Sequence, residues 1–147
     1  FQYKLNEQII KFNSDKILSQ IENGSKILAL GIAFKGYPHT DDTRDSVGLK
    51  IINYLIDQQI DVEVFDLSVS EKKIKSLGYQ YNNLESLKDI DGILFLNNDR
   101  RYTDLIKRCH VKDSIKKEYF IYDPWKIFLK NDRLVLEKSV DLDEQKK

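Results

Sequence analysis

The chain has 147 residues and a mass of 17.3 kDa, a length that suits one domain with an appended element. Its 24 Lys+Arg balance 24 Asp+Glu, and a formal charge of zero argues against a general polyanion binder that runs on net positive charge. A content of 41% hydrophobic and 11% aromatic residues excludes a disordered chain, a single Cys excludes an internal disulfide, and no apolar run approaches the ~18 residues of a membrane span.

The lone Cys fits a reducing compartment, and no signal peptide opens the sequence. No Met occurs at any position, so the chain reads as a piece of something longer. Tyr3 to Asn23 carries Leu5, Ile9, Phe12 and Ile21 at helical spacing, with Ile10, Ile17 and Leu18 beside them and Gly24 as the expected stop. Two readings stay open: an amphipathic helix lying on the domain, or the end of a helix that comes from a preceding domain. Lys26 to Phe34 is a nearly continuous apolar run, which suits a strand buried on both faces of a parallel sheet. The spacing of Val47, Leu49, Ile51, Ile52, Leu55 and Ile56 predicts a helix ending near Gln58. Asp61–Phe65 reads as a strand, Ser70–Leu77 as a helix stopped by Gly78, and Leu84–Lys88 as a short helix. Gly92–Leu96 reads as a buried strand, Tyr102–Arg108 as a helix, and Tyr119–Tyr122 as a last strand closed by Asp123-Pro124. Strands alternating with helices imply βαβ units. The expected fold is therefore α/β, a Rossmann-like doubly wound parallel sheet preceded by one long amphipathic helix.

In such sheets ligands bind beyond the carboxyl ends of the strands, so the connection after the first strand is the first place to look. From Phe34 to Asp45 it runs about a dozen residues, long against the usual 2–6. Gly36 and Pro38 fix its backbone, and Thr40, Asp41, Asp42 and Thr43 can bond its own amides. Lys35 places a cation at the strand's end, and the amides of the helix starting near Ser46 favour an anion in the same area.

This loop, Gly31-Ile-Ala-Phe-Lys-Gly-Tyr-Pro-His-Thr-Asp-Asp-Thr-Arg-Asp-Ser46, resembles the opening of the C-terminal domain of the UDP-glucose/GDP-mannose dehydrogenase family. The family pattern is roughly G-x-A-F-K, a spacer, then T-D-D-x-R-x-S, and the Phe-Lys pair, the Thr-Asp-Asp, the Arg and the Ser fall in register. The resemblance covers about residues 25–130. Val62–Asp66 is similar to the family's second strand with its acidic end, Asp91–Leu96 to the third, and Tyr119–Asp123 to the strand before an Asp-Gly-Arg turn. The N-terminal helix, with Lys4-Leu-Asn-Glu-Gln8, resembles the end of the family's central helix. The implied domain plan is 1–24 as the end of that linking helix, 25–130 as the nucleotide-sugar-binding domain, and 131–147 as a tail.

The resemblance implies part of an NAD-dependent nucleotide-sugar 6-dehydrogenase. Such an enzyme oxidises the C6 alcohol of a UDP-sugar to the carboxylate through successive hydride transfers to NAD. A Cys in the central region holds the aldehyde intermediate. The Gly-x-Pro-x-Thr loop is closer to members acting on N-acetylated UDP-sugars. Carried over by position, Phe34 and Lys35 line the nucleotide-sugar pocket, and Arg44 faces the interdomain cleft and the cofactor. NAD itself is bound mainly by an N-terminal domain. The implied partners are the N-terminal and central domains of the parent enzyme and a second copy in a homodimer, with no nucleic acid and no membrane. The implied setting is cytoplasmic, in polysaccharide biosynthesis.

The pattern departs in places. This chain has no G-x-G-x-x-G fingerprint and no Gly-rich Cys segment of its own. Cys109-His-Val-Lys-Asp113 imitates only the end of that segment, and an inert thiol is the better reading, so no catalytic residue is expected within these residues. The Asp-Gly-Arg turn reads Asp123-Pro-Trp125, which leaves Lys126 to replace the Arg and Trp125 to pack on the uracil or the sugar. Asp41-Asp42 is read as loop bonding rather than a metal site, and His39 and His110 as solvated or structural. Asp99-Arg-Arg-Tyr102 reads as an exposed helix end. A different class of function stays in competition: a free-standing nucleotide-binding or assembly module with the same fold and no catalysis.

Overall fold

In a computed structural model of the chain, which describes residues 2–33, 39–44, 46–113 and 119–125, five parallel strands form one sheet. The elements in order are α1 (Gln2–Leu18), β1 (Lys26–Leu30), α2 (Val47–Asp57), β2 (Asp61–Phe65), α3 (Glu71–Ser76), β3 (Gln80–Tyr81), β4 (Gly92–Phe95), α4 (Arg101–Asp113) and β5 (Phe120–Tyr122). The strand order is β3-β2-β1-β4-β5. The chain thus builds outward on one side of β1 and then crosses to the other, which opens a crevice between the carboxyl ends of β1 and β4. The α/β Rossmann-like arrangement expected from the strand–helix alternation is the fold observed.

β1 is central because nothing in Ile27-Leu-Ala-Leu30 needs water: all four residues are fully buried. Ile27 and Ala29 face a core shared with α1, α2 and α3 through Ile10, Ile17, Ile52, Leu55 and Ile74. Leu28 and Leu30 face the opposite layer, with Ile93, Phe95, Tyr102, Ile106 and Tyr119. Each such side chain contributes roughly 1.5–3 kcal/mol by leaving water, which makes this run the anchor of the register.

Three local expectations are corrected. The helix expected to Asn23 ends at Leu18, and its buried stripe is Ile10, Ser14 and Ile17, whereas Ile9 and Phe12 are 47% and 69% exposed. Spacings of four and three residues align 10, 14 and 17 on the face toward α2, and a serine in that stripe hides it from an apolar count. The helix expected at Leu84–Lys88 is a series of turns. Asn82 Oδ1, Asn83 Oδ1 and Ser86 Oγ accept the amides of Leu84, Glu85 and Lys88, so local side-chain bonds win over helix bonds. Leu84, Leu87 and Ile90 are buried from this segment, so its apolar spacing marks the cover of the second layer and not a helix. The two-residue strand β3, at the sheet edge, was not anticipated; it is too short to carry a period.

Candidate functional site

The site is built where β1, β2 and β4 end. Asp66 follows β2 directly and is 5% exposed. Its Oδ2 accepts the amides of Ile32 at 2.7 Å and Ala33 at 2.9 Å, and its Oδ1 accepts those of Ser68 at 2.6 Å and Val69 at 3.1 Å. One buried carboxylate therefore ties the exit of β1 to the turn that starts α3. The remaining cost of burying its charge is offset by these four donors.

Gly31 is the first residue past β1 and has φ +95°. A Cβ there would lie 2.5 Å from Asn97 Cγ, 2.6 Å from Oδ1 and 2.7 Å from Nδ2. Two separate constraints, a left-handed backbone and an amide packed flat over the Cα, thus require glycine. Gly48, in the first turn of α2, would place a Cβ 3.0 Å from the Gly31 carbonyl oxygen and 3.0 Å from Leu96 Cβ. The start of α2 consequently sits directly on the ends of β1 and β4. Ser46 caps this helix, its Oγ accepting the Leu49 amide at 3.2 Å, which is the helix start the sequence implied.

On the β4 side, Asn97 is 5% and Asp99 4% exposed, and Tyr102 is fully buried. The reading of Asp99–Tyr102 as an exposed helix end is thus corrected at both of its termini. Asn97 Oδ1 accepts the Asp99 amide at 3.1 Å. Asp99 in turn holds Arg101 in a fork, with Nε to Oδ1 at 3.0 Å and Nη2 to Oδ2 at 2.7 Å. Burial alone would push the Asp99 carboxyl up, but the Arg101 side chain and amide outweigh it and hold the carboxyl below its ordinary value. His39 Nε2 lies 3.9 Å from Asp99 Oδ2, so the β1–α2 loop meets the β4–α4 turn here. His39, read from sequence as solvated or structural, has a carboxylate partner that no local spacing could reveal. Tyr102 accepts the Leu67 amide on its hydroxyl at 3.1 Å, and burial, helped by the Asp66 charge, raises its phenol above the ordinary value.

The β1–α2 loop bonds itself as its Thr/Asp content implied. Thr40 Oγ1 accepts the Asp42 amide at 3.1 Å, and Asp42 Oδ1 accepts the Arg44 amide at 3.0 Å. The Arg44 guanidinium forks onto the same carboxylate, with Nε to Oδ1 at 3.0 Å and Nη2 to Oδ2 at 2.9 Å. Lys73 Nζ, from α3, donates to the Asp41 carbonyl at 2.8 Å. The Arg44 side chain and amide hold the Asp42 carboxyl down at about 2. A depressed carboxyl stabilises the folded loop above its unfolded value near 4, and that contribution is lost as pH falls toward 2. We expect Arg44→Gln to return the Asp42 carboxyl toward 4 in an NMR titration of side-chain carboxyl shifts. An Asp42 midpoint left near 2 would show that another group holds it.

Of the residues the sequence nominated, Arg44 and Trp125 both lie at this carboxyl edge: Arg44 in the β1–α2 loop, and Trp125, 42% exposed, three residues past β5. Phe34, Lys35 and Lys126 lie outside the described residues. Sequence reasoning missed Asp66 as the organiser of the edge, and missed Asn97 and Asp99. The signal was available: Asp66 follows β2 directly and Asn97 and Asp99 lie two and four residues past β4, and polar residues there face the ligand end of a parallel sheet. Among the described residues no helix is long and apolar enough to cross a membrane.

Residues 28–130 match the family model described as "UDP-glucose/GDP-mannose dehydrogenase family, UDP binding domain". The match runs from within β1 past β5 and includes every strand end described above. This chain belongs to the UDP-glucose/GDP-mannose dehydrogenase family. The matched region is the family's C-terminal, UDP-binding domain, and its loop, its Asp66 clamp and the β1/β4 crevice are features of that domain here. Among curated proteins, an uncharacterized protein of Methanocaldococcus jannaschii is 34% identical over 107 residues, covering 61% of this chain and 12% of that protein. A UDP-N-acetyl-D-mannosamine dehydrogenase of Methanococcus aeolicus is 26% identical over 108 residues, covering 70% of this chain and 23% of that protein. The chain thus spans less than a quarter of the length of either relative.

Proposed function

We propose that this UDP-binding domain serves an NAD-dependent UDP-sugar 6-dehydrogenase, which oxidises the C6 alcohol of a UDP-sugar to the UDP-uronic acid. The observation that carries the reading is the family match across the whole carboxyl edge, residues 28–130. The substrate class we favour is a UDP-N-acetylhexosamine. The form of the loop, Gly36-Tyr-Pro-His-Thr40, and the name of the Methanococcus aeolicus relative support it. In this reading Lys35 meets the diphosphate and Phe34 lines the pocket. Trp125 packs on the uracil or sugar, Lys126 takes the place of the family's arginine, and Arg44 faces the cleft toward the cofactor. Residues 1–24 hold the end of a linking helix, 25–130 form the domain and 131–147 a tail. The parent works in the cytoplasm as a homodimer, in making sugars for polysaccharide.

The described residues do not fit NAD as a resident cofactor. A dinucleotide site needs a tight glycine turn and an acidic group at the end of β2 for the ribose. Here the connection from β1 to α2 covers residues 31–46, and the acidic group, Asp66, is saturated by four amides of its own chain. NAD therefore belongs to another domain of the parent, and this chain's part is to bind and orient the nucleotide sugar.

The test is titration calorimetry of the chain with UDP. Lys35→Ala is expected to weaken binding by about tenfold or more, since a charge-assisted bond contributes roughly 1.5–3 kcal/mol. The chain alone, given UDP-sugar and NAD, is expected to yield no NADH. Equal affinity of the two proteins for UDP would remove Lys35 from the site, and NADH production would overturn the division of labour.

A further inference from the structure

Asn97 lies two residues past β4, at the crevice where the sheet order reverses, and it is only 5% exposed. Its orientation is not arbitrary. The Asp99 amide needs an acceptor, so the atom it meets at 3.1 Å is Oδ1, and the –NH2 is the other arm. Among the described residues no acceptor takes that –NH2. Ser14 Oγ is the buried side-chain atom left without a partner, and Asn97 Nδ2 is not sealed off in this way. A largely buried amide thus holds a donor with no acceptor among the described residues.

Its surroundings say what the donor meets. The amide lies over Gly31, whose carbonyl oxygen is against the first turn of α2. In that turn Ser46 takes the Leu49 amide, and the Val47 and Gly48 amides have no acceptor among the described residues. The first amides of a helix and an adjacent –NH2 all donate, and together with the helix dipole they favour an anionic oxygen.

We propose that Asn97 is a phosphate-contacting residue of the UDP site, its Nδ2 donating to an anionic oxygen of the nucleotide diphosphate. This rests on the UDP-binding reading and adds a contact to it. The lone pair of the phosphoryl oxygen accepts the hydrogen bond, and no bond is made or broken. Because the other arm of the amide is pinned by Asp99, the donor is pre-oriented and the contact loses little rotamer freedom on binding.

The experiment is an amide-resolved NMR titration of the chain with UDP, beside Asn97→Asp and Asn97→Ala. Asn97→Asp keeps an acceptor for the Asp99 amide and turns the donor into an anion, so the turn is retained while phosphate is repelled. The side-chain –NH2 resonances of Asn97, assigned by their loss in both variants, are expected to shift on UDP addition. Affinity is expected to fall about tenfold or more in Asn97→Asp, and less in Asn97→Ala. Uridine, which lacks phosphate, is expected to perturb the wild-type chain without moving the Asn97 –NH2 signals. UDP saturation of the wild type with the Asn97 –NH2 signals unmoved, or with equal affinity in Asn97→Asp, overturns the contact and leaves the UDP reading intact. No perturbation of any amide by millimolar UDP overturns the UDP reading, and this contact with it.

Discussion

Asp66→Ala is expected to lower the unfolding free energy by about 3–5 kcal/mol, the largest single-site loss in this domain outside its apolar core. The reason is the number of donors that depend on one side chain. Ile32, Ala33, Ser68 and Val69 all deliver their amides to this carboxylate, and it is 5% exposed, so water does not readily replace it. Each bond to a charged acceptor contributes roughly 1.5–3 kcal/mol, but the four do not add, because the freed loops relax. Asp66→Asn is expected to recover no more than half the loss, since one arm of the amide would set a donor against two amides. Urea unfolding followed by tryptophan fluorescence or circular dichroism measures it. A loss under about 1 kcal/mol in the alanine variant would show that the loops hold themselves. The functional consequence runs through Ile32 and Ala33, whose amides fix the start of the loop that carries Lys35. UDP affinity is therefore expected to fall in Asp66→Ala even at temperatures where the variant is fully folded.

The second large effect is expected at Gly31. Gly31→Ala forces an L-residue to φ +95° and drives its Cβ to within 2.5 Å of the Asn97 amide carbon. The expected loss is about 2–4 kcal/mol, combining backbone strain with a displaced side chain. Gly78 supplies the control. Its φ is +94°, and a Cβ there would meet nothing within 4 Å, so Gly78→Ala costs the backbone term alone, about 1 kcal/mol. The difference between the two variants isolates the Asn97 contact. Equal losses at the two sites would mean that Asn97 moves aside at no cost, and the packed crevice described here would be wrong. Gly31→Ala is also expected to weaken UDP binding, because the displaced amide no longer points its donor to the same place.

Much of the architecture was legible before any coordinates. β2 has its expected bounds, β4 lies within one residue of its expected run, α2 starts after Ser46 as expected, and α3 falls within the helix expected over Ser70–Leu77. These are local facts: a period, a cap and a stop act within a few residues of each other. The misses have a common physical form. Leu84–Lys88 carries helical spacing, yet its neighbouring Asn and Ser side chains capture the amides a helix would use. The buried stripe of α1 passes through Ser14, so the most apolar face by composition, with Ile9 and Phe12, is the one left exposed.

At the site, the Thr-Asp-Asp-x-Arg run implied a loop that bonds its own amides, and Thr40 and Asp42 do so. The Asp42–Arg44 clasp spans two residues and needed nothing distant. What the amino-acid order could not supply was the company kept by Asp66, Asn97, Asp99 and His39. Their partners lie up to 60 residues apart along the chain (His39 to Asp99) and are joined only because β1, β2 and β4 are neighbours in the sheet. Local bonding energies act over a few residues and are written in the sequence, whereas which strand ends meet is settled by burying the whole apolar sheet at once.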